Sequence, residues 1–239
     1  MEEYISGFLL FKSDLSNNSK KSYKRYLKKL LNFLEEKDIS DIEKIDKLTL
    51  LSFIDDLENK NLKSNTINKY ISIINSFFKF LNEKNYLNKK IKLKRLKVQK
   101  KDNNKDIVYE KDLRNFLKKI ENDKISKRNS LIIMFLYFTP LKLKEILSIK
   151  INNFDNDFEF LNINSFQISL NKEIVKNLKE YNKKYNIDDY LFVNYKNKKL
   201  SRQYVWKFLK EYSKKYKIKL SPSKLNRSYK INKLLRSYK

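Results

Sequence analysis

The sequence contains no histidine and no cysteine, and its 239 residues include one glycine and two prolines. Without histidine or cysteine it has no Ser-His or Cys-His nucleophile pair, and no zinc site of nitrogen and sulfur ligands. A single glycine, Gly7, excludes dinucleotide-binding turns and P-loops, which need glycine where the backbone approaches phosphate. Disulfides are excluded too, which suits a reducing compartment. We therefore expect no cofactor, no metal and a cytoplasmic location.

Long apolar runs are also absent. The longest covers residues 131–138, far short of the roughly 20 residues that span a bilayer. The chain opens with Glu2 and Glu3, where a secretory signal would be basic. With 41% hydrophobic residues, a chain of this length can still bury a substantial core, over about one or two domains. We expect a soluble protein with no membrane partner.

Positive charge is abundant but unevenly placed. The chain has 55 Lys and Arg residues against 28 Asp and Glu, a formal net charge of +27. Codon bias toward AT-rich DNA would enrich lysine, but it would spread the lysines along the chain. Instead, residues 86–106 carry a net +7 and residues 193–239 a net +15, so two short blocks hold 22 of the 27 excess charges. Such blocks favour a polyanionic partner, nucleic acid first and an anionic membrane surface second.

Helical periodicity dominates the first 86 residues. Apolar side chains recur every three or four residues in four stretches, and a residue that can cap a helix precedes three of them. The helices are expected at about residues 3–12, after Ser16 or Ser19, after Thr49 and after Ser64. We interpret their aromatic side chains as core. The pattern predicts an N-terminal four-helix domain over residues 1–86.

The next stretch, residues 87–106, is polar and basic and is typical of an extended linker. Beyond it, residues 158–163 and 166–170 alternate apolar and polar side chains, as the strands of a small hairpin do. The predicted fold class is therefore mainly α, with a small β-hairpin in a second domain over residues 107–239. Helices are expected in that domain at residues 110–120, 128–138, 142–149, 172–185, 201–216 and 222–235.

Five local phrases occur in a recognisable order and spacing along the whole chain. They are LSNNSKKSY (15–23), SNTINKYISIINSFFKFLNEKNYLN (64–88), RNSLIIMFLYFTPLKLKEILSIKINNFD (128–155), LFVN with LSRQYVWKFLKEYSKKYKI (191–194 and 200–218) and SPSKLNRSY (221–229). Together they resemble the tyrosine recombinases of the Xer and phage integrase type. The resemblance implies a SAM-like core-binding domain, then a linker, then a helical tyrosine-recombinase-like domain.

The resemblance also implies a reaction and the residues that perform it. In the family a tyrosine attacks a DNA phosphate, two arginines hold its oxygens, a hairpin lysine protonates the leaving hydroxyl and histidines assist. Here the first arginine position is Lys142, the His-Arg-His box holds Ser223, Asn226 and Arg227, and the hairpin turn at 162–165 has no lysine. Only a guanidinium binds phosphate bidentately, and a preorganised donor is worth roughly a hundred- to a thousand-fold in rate. With Lys142 as its only retained cation, the catalytic site is predicted not to be intact.

The family binds duplex DNA between its two domains, with the linker near the backbone, so the resemblance places both basic blocks near phosphates. The polar face of the helix after Ser64 is a candidate for reading bases, although a solvated helix face has the same pattern. That face comprises Asn65, Thr66, Asn68 and Lys69. The candidate DNA-binding residues are Lys20, Lys21, Lys24, Lys63, Asn65, Thr66, Lys69, Lys89, Lys90, Lys92, Lys94, Arg95, Lys97, Lys142, Lys144, Arg202, Lys224 and Arg227.

Three functions stay open. The leading hypothesis is a DNA-binding tyrosine-recombinase homologue that does not cleave DNA and that works with a second copy or a related recombinase. The second is an active recombinase with relocated residues, with Tyr238 as nucleophile and Arg227 or Arg236 as cations. The third is a scaffold protein that is independent of nucleic acid. Only 12 residues follow Arg227, so the segment with the family's nucleophilic tyrosine is expected to be missing, either natively or through a truncated reading frame.

Overall fold

The computed structural model describes residues 1–98, 107–120, 124–163 and 165–237, without the side chains of residues 124 and 235–237. The chain divides into two compact units, Met1–Lys101 and Asp102–Lys239. In its described parts the chain is mostly helical and has one two-stranded antiparallel sheet. This confirms the predicted fold class.

The first unit is a bundle of four helices, α1 (Glu2–Phe11), α2 (Asn17–Glu35), α3 (Lys47–Asn59) and α4 (Ser64–Glu83). Ser16 caps α2 as expected, because its side chain accepts a hydrogen bond from the backbone of Ser19. Thr49 was the wrong cap for α3. The helix begins two residues earlier, and Asp46 Oδ1 accepts hydrogen bonds from both the backbone and the hydroxyl of Thr49, each at 2.7 Å.

The core of the first unit is aromatic, as the periodicity of α4 predicts. Phe8 of α1 is fully buried, and its ring centroid lies 5.4 Å from that of Phe77 and 5.5 Å from that of Phe80. Such edge-on and tilted pairs add packing energy beyond the apolar area that they bury. Residues 87–98, assigned from the sequence to a linker, have no helix or strand and pack against this unit, with Leu87 and Leu93 buried.

The second unit is built around α6 (Lys124–Phe138), whose residues 131–137 are all buried. It packs against α7 (Leu143–Ile146), α8 (Lys172–Tyr185) and α10 (Pro222–Ser237). The remaining helices are α5 (Glu110–Lys118) and α9 (Arg202–Lys215). A helix that is apolar on all sides must be enclosed, which explains why α6 lies at the centre.

The sheet consists of β1 (Phe160–Ile163) and β2 (Phe166–Ser169), paired with Phe160 opposite Ser169, close to the predicted hairpin. The helix predicted over 142–149 is shorter, since α7 has four residues. The chain leaves the helix there because the carbonyl of Ile149 accepts a hydrogen bond from Leu191, 2.9 Å away. No helix in the described part of the chain combines the length and apolar character needed to cross a membrane.

Candidate nucleic-acid interface

A cleft of about 410 Å³ opens in the second unit where α7, α9 and α10 begin, and we call it the basic cleft. Among the residues that the structure describes, four of the lining side chains are cations and none is acidic. The loops before these helices therefore bring together residues that are far apart in sequence. The lining residues are Lys142, Leu143, Arg202, Trp206, Pro222, Ser223, Asn226, Arg227 and Lys230.

The turn that carries Lys142 is held by a set of hydrogen bonds. The buried hydroxyl of Thr139 donates to a carbonyl in the last turn of α6 at 2.6 Å and accepts from the backbone of Leu141 at 3.3 Å. Asn226 Nδ2 donates to the carbonyl of Leu141 at 3.0 Å, which links this turn to α10. The backbone N–H of Lys142 donates to Glu145 Oε2 at 2.7 Å, and the Lys142 side chain is exposed.

The start of α10 is held in the same way. Pro222 is buried at its first position, where a missing backbone donor does no harm. Ser221 accepts from the backbone of Lys224 at 3.1 Å, and the buried hydroxyl of Ser228 accepts from the backbone of Val108 at 2.8 Å. These contacts set the rotation of α10, so that Arg227 faces the basic cleft.

The start of α9 is positioned by a buried arginine. Arg128 on α6 donates from Nη1 to the carbonyl of Val193 at 2.6 Å and from Nη2 to the hydroxyl of Tyr204 at 2.7 Å. Its guanidinium also lies 5.0 Å from the centroid of the Tyr204 ring. Because Tyr204 belongs to the first turn of α9, these contacts fix the turn from which Arg202 and Trp206 reach the cleft.

The basic cleft brings together most of the residues that the resemblance implied. Lys142, Ser223, Asn226 and Arg227 share one lining with Arg202. Three further cations, Arg202, Arg227 and Lys230, face the same space as Lys142. Lys144 and Lys224 do not line it. The side chain of Arg236, the whole of Tyr238 and the hairpin position 164 lie outside the described residues.

Trp206 and Lys230 are among the lining residues that sequence reasoning missed. Helical spacing was the available signal. Trp206 lies four residues after Arg202 on α9, and Lys230 lies three residues after Arg227 on α10, so each pair shares a helix face. Trp206 is the only tryptophan of the chain and is 47% exposed.

The first unit has a polar groove of about 480 Å³ between α2 and α4, the α2–α4 groove. Lys69, predicted from the sequence, lines it together with Arg25, which was not predicted. The Arg25 guanidinium lies 5.5 Å from the ring centroid of Tyr26, whose ring in turn meets that of Tyr70 edge-on at 4.4 Å. Burial raises the pKa of the Tyr70 hydroxyl above its usual value. The other lining residues are Asn18, Ser19, Ser22, Tyr23, Tyr26, Ser72 and Ile73.

The remaining candidates of the first unit lie at helix starts or on residues 87–98. None of those at the helix starts lines the α2–α4 groove. Lys20, Lys21 and Lys24 belong to the first two turns of α2, Lys63 directly precedes α4, and Asn65 and Thr66 lie in its first turn.

Three candidates, Asn68, Lys89 and Arg95, form hydrogen bonds within the protein itself. Asn68 cannot read bases, because its amide pairs with the backbone of Leu96, donating at 3.0 Å and accepting at 2.8 Å. The ammonium of Lys89 donates to the carbonyl of Glu43. Lys90, Lys92, Lys94, Arg95 and Lys97 are exposed.

Two protein-family models match the chain. The model of the phage integrase N-terminal SAM-like domain matches residues 2–85, and that of the phage integrase family matches residues 106–235. A TnP I resolvase from Bacillus thuringiensis is 31% identical over 160 residues, 61% of this chain and 56% of the resolvase. Tyrosine recombinase XerD from Oceanobacillus iheyensis is 28% identical over 167 residues, 63% of this chain and 55% of that protein. The matches thus span little more than half of either relative.

Among solved structures, the Tn1549 transposon integrase in complex with circular intermediate DNA is similar in fold. Its TM-score is 0.74 at 14% sequence identity, and the match covers 95% of this chain and 84% of that one. At this level of identity the likeness concerns the fold alone.

Proposed function

The chain belongs to the phage integrase family of tyrosine recombinases, and on that premise we propose that it binds double-stranded DNA. The contacts would be made by the basic cleft of the second unit and, in the first unit, by the α2–α4 groove and residues 87–98. The resemblance in fold to an integrase solved with DNA supports the choice of partner.

One observation carries the proposal. Arg202, Arg227, Lys142 and Lys230 line one cleft that has no acidic side chain in its lining. Cations that line one cleft repel one another, and a bound polyanion relieves that repulsion. Arginine and lysine are also the side chains that make most contacts to DNA phosphates.

We further propose that the chain cleaves DNA poorly or not at all. Lys142 is a point charge where the family has a guanidinium fork, and it cannot hold two phosphate oxygens in fixed geometry. Asn226 stands at the other arginine position, and its amide donates to the carbonyl of Leu141. The described residues of the β1–β2 hairpin include no lysine and line no part of the cleft.

One observation favours a second candidate function, recombination with relocated residues. Arg227 lines the basic cleft, one residue beyond the second arginine position, so a guanidinium is present near where the chemistry would require it. Under this alternative Tyr238 would be the nucleophile. Action in the cytoplasm and assembly with a second copy or a related recombinase remain predictions under either function.

Trp206 allows a direct test of DNA binding. As the only tryptophan and a lining residue of the basic cleft, it should lose fluorescence when a 30-bp duplex is added at low salt. The affinity should fall steeply with salt, by about 0.9 log units per log unit of salt for each phosphate neutralised. Absence of binding at low salt, or an affinity that does not change with salt concentration, would refute the proposal. A partner protein captured equally well after nuclease treatment would instead support a scaffold.

Cleavage is tested with a nicked suicide duplex, on which a covalent adduct accumulates and remains on a denaturing gel. We expect no adduct from the unmodified chain. An adduct that disappears in Tyr238→Phe would establish the second candidate function, while DNA binding would stand.

A further inference from the structure

Three asparagines of α4 hold the extended chain that follows the helix. Asn68, Asn75 and Asn82 are spaced seven residues apart, close to two helical turns, and so share one face of α4. Asn75 donates from Nδ2 to the carbonyl of Leu93 at 2.9 Å and accepts from its N–H at 2.8 Å. Asn68 forms the same pair of hydrogen bonds with Leu96. We call these three residues the asparagine ladder.

The third member of the ladder holds the start of the segment. Asn82 Nδ2 donates to the carbonyl of Leu87 at 2.6 Å and to that of Lys89 at 3.0 Å. The later the residue stands in α4, the earlier its partner stands in the segment, so residues 87–96 run antiparallel to the helix. An asparagine side chain has both a donor and an acceptor, and can therefore pair with the N–H and C=O of one extended residue as a neighbouring strand would.

The segment held by the ladder has buried or partly buried apolar side chains and exposed basic ones. Leu93 is buried, and Ile91 and Leu96 are partly buried against the bundle. Four lysines around these apolar residues are exposed. They are Lys90, Lys92, Lys94 and Lys97.

Arg95 connects this segment with the α2–α4 groove. Its Nη2 donates to Ser72 Oγ at 2.7 Å, and Ser72 lines the groove. The held segment and the groove therefore form one continuous polar and basic surface on the first unit.

We propose that the asparagine ladder is a positioning device that fixes residues 87–97 in place before DNA arrives. The inference rests on the proposed DNA binding and concerns how the exposed lysines act there. A free basic segment loses conformational freedom when it binds a polyanion, whereas a segment already held loses little. The ladder residues touch no DNA in this proposal, and they act through Lys90, Lys92, Lys94 and Lys97.

The test is the double variant Asn68→Ala/Asn75→Ala. The control is Asn59→Ala, because Asn59 is the exposed last residue of α3 and does not belong to the ladder. In the double variant the amides of Leu93 and Leu96 should exchange hydrogen faster, since their acceptors are gone. Duplex affinity should fall about tenfold at fixed salt. The slope of log affinity against log salt should not change, because every lysine can still reach a phosphate. Glutamine keeps a donor and an acceptor. When Asn75→Gln replaces Asn75→Ala in the double variant, part of the lost duplex affinity should therefore return.

The outcomes separate the two proposals. If the unmodified chain binds no DNA, the proposed function fails, and this inference about its lysines fails with it. If the unmodified chain binds and the double variant exchanges faster at Leu93 and Leu96 yet binds equally well, the positioning role alone is overturned. If the double variant does not fold, the single variant Asn68→Ala decides the question by the same measurements.

Discussion

The two units bury different kinds of side chain in their cores. The buried side chains described in the first unit are hydrophobic, whereas the second unit buries five polar or charged residues, Ser126, Arg128, Asn129, Thr139 and Ser228. In the second unit three of these residues hold the elements that line the basic cleft. Arg128 donates to Tyr204, Thr139 accepts from Leu141, and Ser228 accepts from Val108. In the first unit the positioning groups lie outside the core, as the asparagine ladder on α4.

This difference shows two ways of arranging positive charge. In the first unit a contiguous basic stretch forms the surface, so the charge block and the exposed lysines coincide. In the second unit three cations of the block 193–239 are among the residues that line the basic cleft, and Lys142 comes from outside the block. The distribution of net charge along the chain therefore locates the basic surface of the first unit, but it does not identify the residues of the basic cleft.

The largest effect on DNA binding is expected in the basic cleft. Arg202→Ala/Arg227→Ala should lower duplex affinity about a hundredfold at fixed salt and reduce the salt slope by about 1.8, because two phosphate contacts are lost. The measurement is quenching of Trp206 as duplex is added over a series of salt concentrations.

A control variant with the same change in net charge distinguishes the cleft from general attraction. Lys196→Ala/Lys214→Ala removes two exposed charges from the same block, and neither residue lines the cleft. It should lower the affinity less than threefold. An equal loss in both double variants would show that net charge, not the assembled cleft, controls binding.

A smaller effect is expected on the first unit. Lys92→Ala/Lys94→Ala should lower duplex affinity about tenfold and reduce the salt slope by about 1 to 2, since the held segment loses up to two phosphate contacts. Lys28→Ala/Lys29→Ala, which removes two exposed charges from α2, is the control and should change the affinity little. If the control weakens binding as much as the segment variant does, residues 87–97 have no special place on the DNA.

The smallest effect at neutral pH concerns Tyr181 in the core of the second unit. Burial raises the pKa of its hydroxyl to about 12, and that hydroxyl has no hydrogen-bond partner among the described residues. The unfolded chain releases this proton near pH 10, so the stability contributed by the neutral hydroxyl is complete below pH 10 and is lost as the pH rises toward 12. The loss is on the order of 2 kcal/mol.

The variant Tyr181→Phe isolates the effect of this hydroxyl on the pH dependence of stability. Tyr181→Phe should be at least as stable as the unmodified chain in urea at pH 8, and should lose less stability between pH 9 and pH 11. DNA binding at neutral pH should not change. A parallel loss of stability in both proteins above pH 10 would assign the alkaline transition to other groups.

Much of the fold could be predicted from periodicity and caps. The apolar spacing of α4 predicted its buried face, and the alternation around residues 160–169 predicted the hairpin. The cap of α3 was mistaken because Asp46 and Thr49 are both good caps, and only the backbone conformation shows which one accepts. The end of α7 was mistaken because a contact with Leu191, 42 residues further along the chain, stops that helix.

The candidate site was predicted less completely. The family resemblance located Lys142, Ser223, Asn226 and Arg227, but only helix rotation brings Trp206 and Lys230 beside them. Asn68 was misinterpreted as a base-reading residue because sequence spacing does not say whether a polar side chain meets solvent or backbone. The regular spacing of Asn68, Asn75 and Asn82 was a signal that helical periodicity could have detected.

By itself the sequence determined the family, the helical class, the absence of histidine and cysteine chemistry, and the two blocks of excess charge, because each of these is a local or summed property of residue types. Only the tertiary structure decided which cations share a cleft and which asparagines hold the basic segment. Those outcomes depend on hydrogen bonds between residues 18 to 120 positions apart, such as Asn75 with Leu93 and Val108 with Ser228. Distances of that kind exist only once the elements have packed.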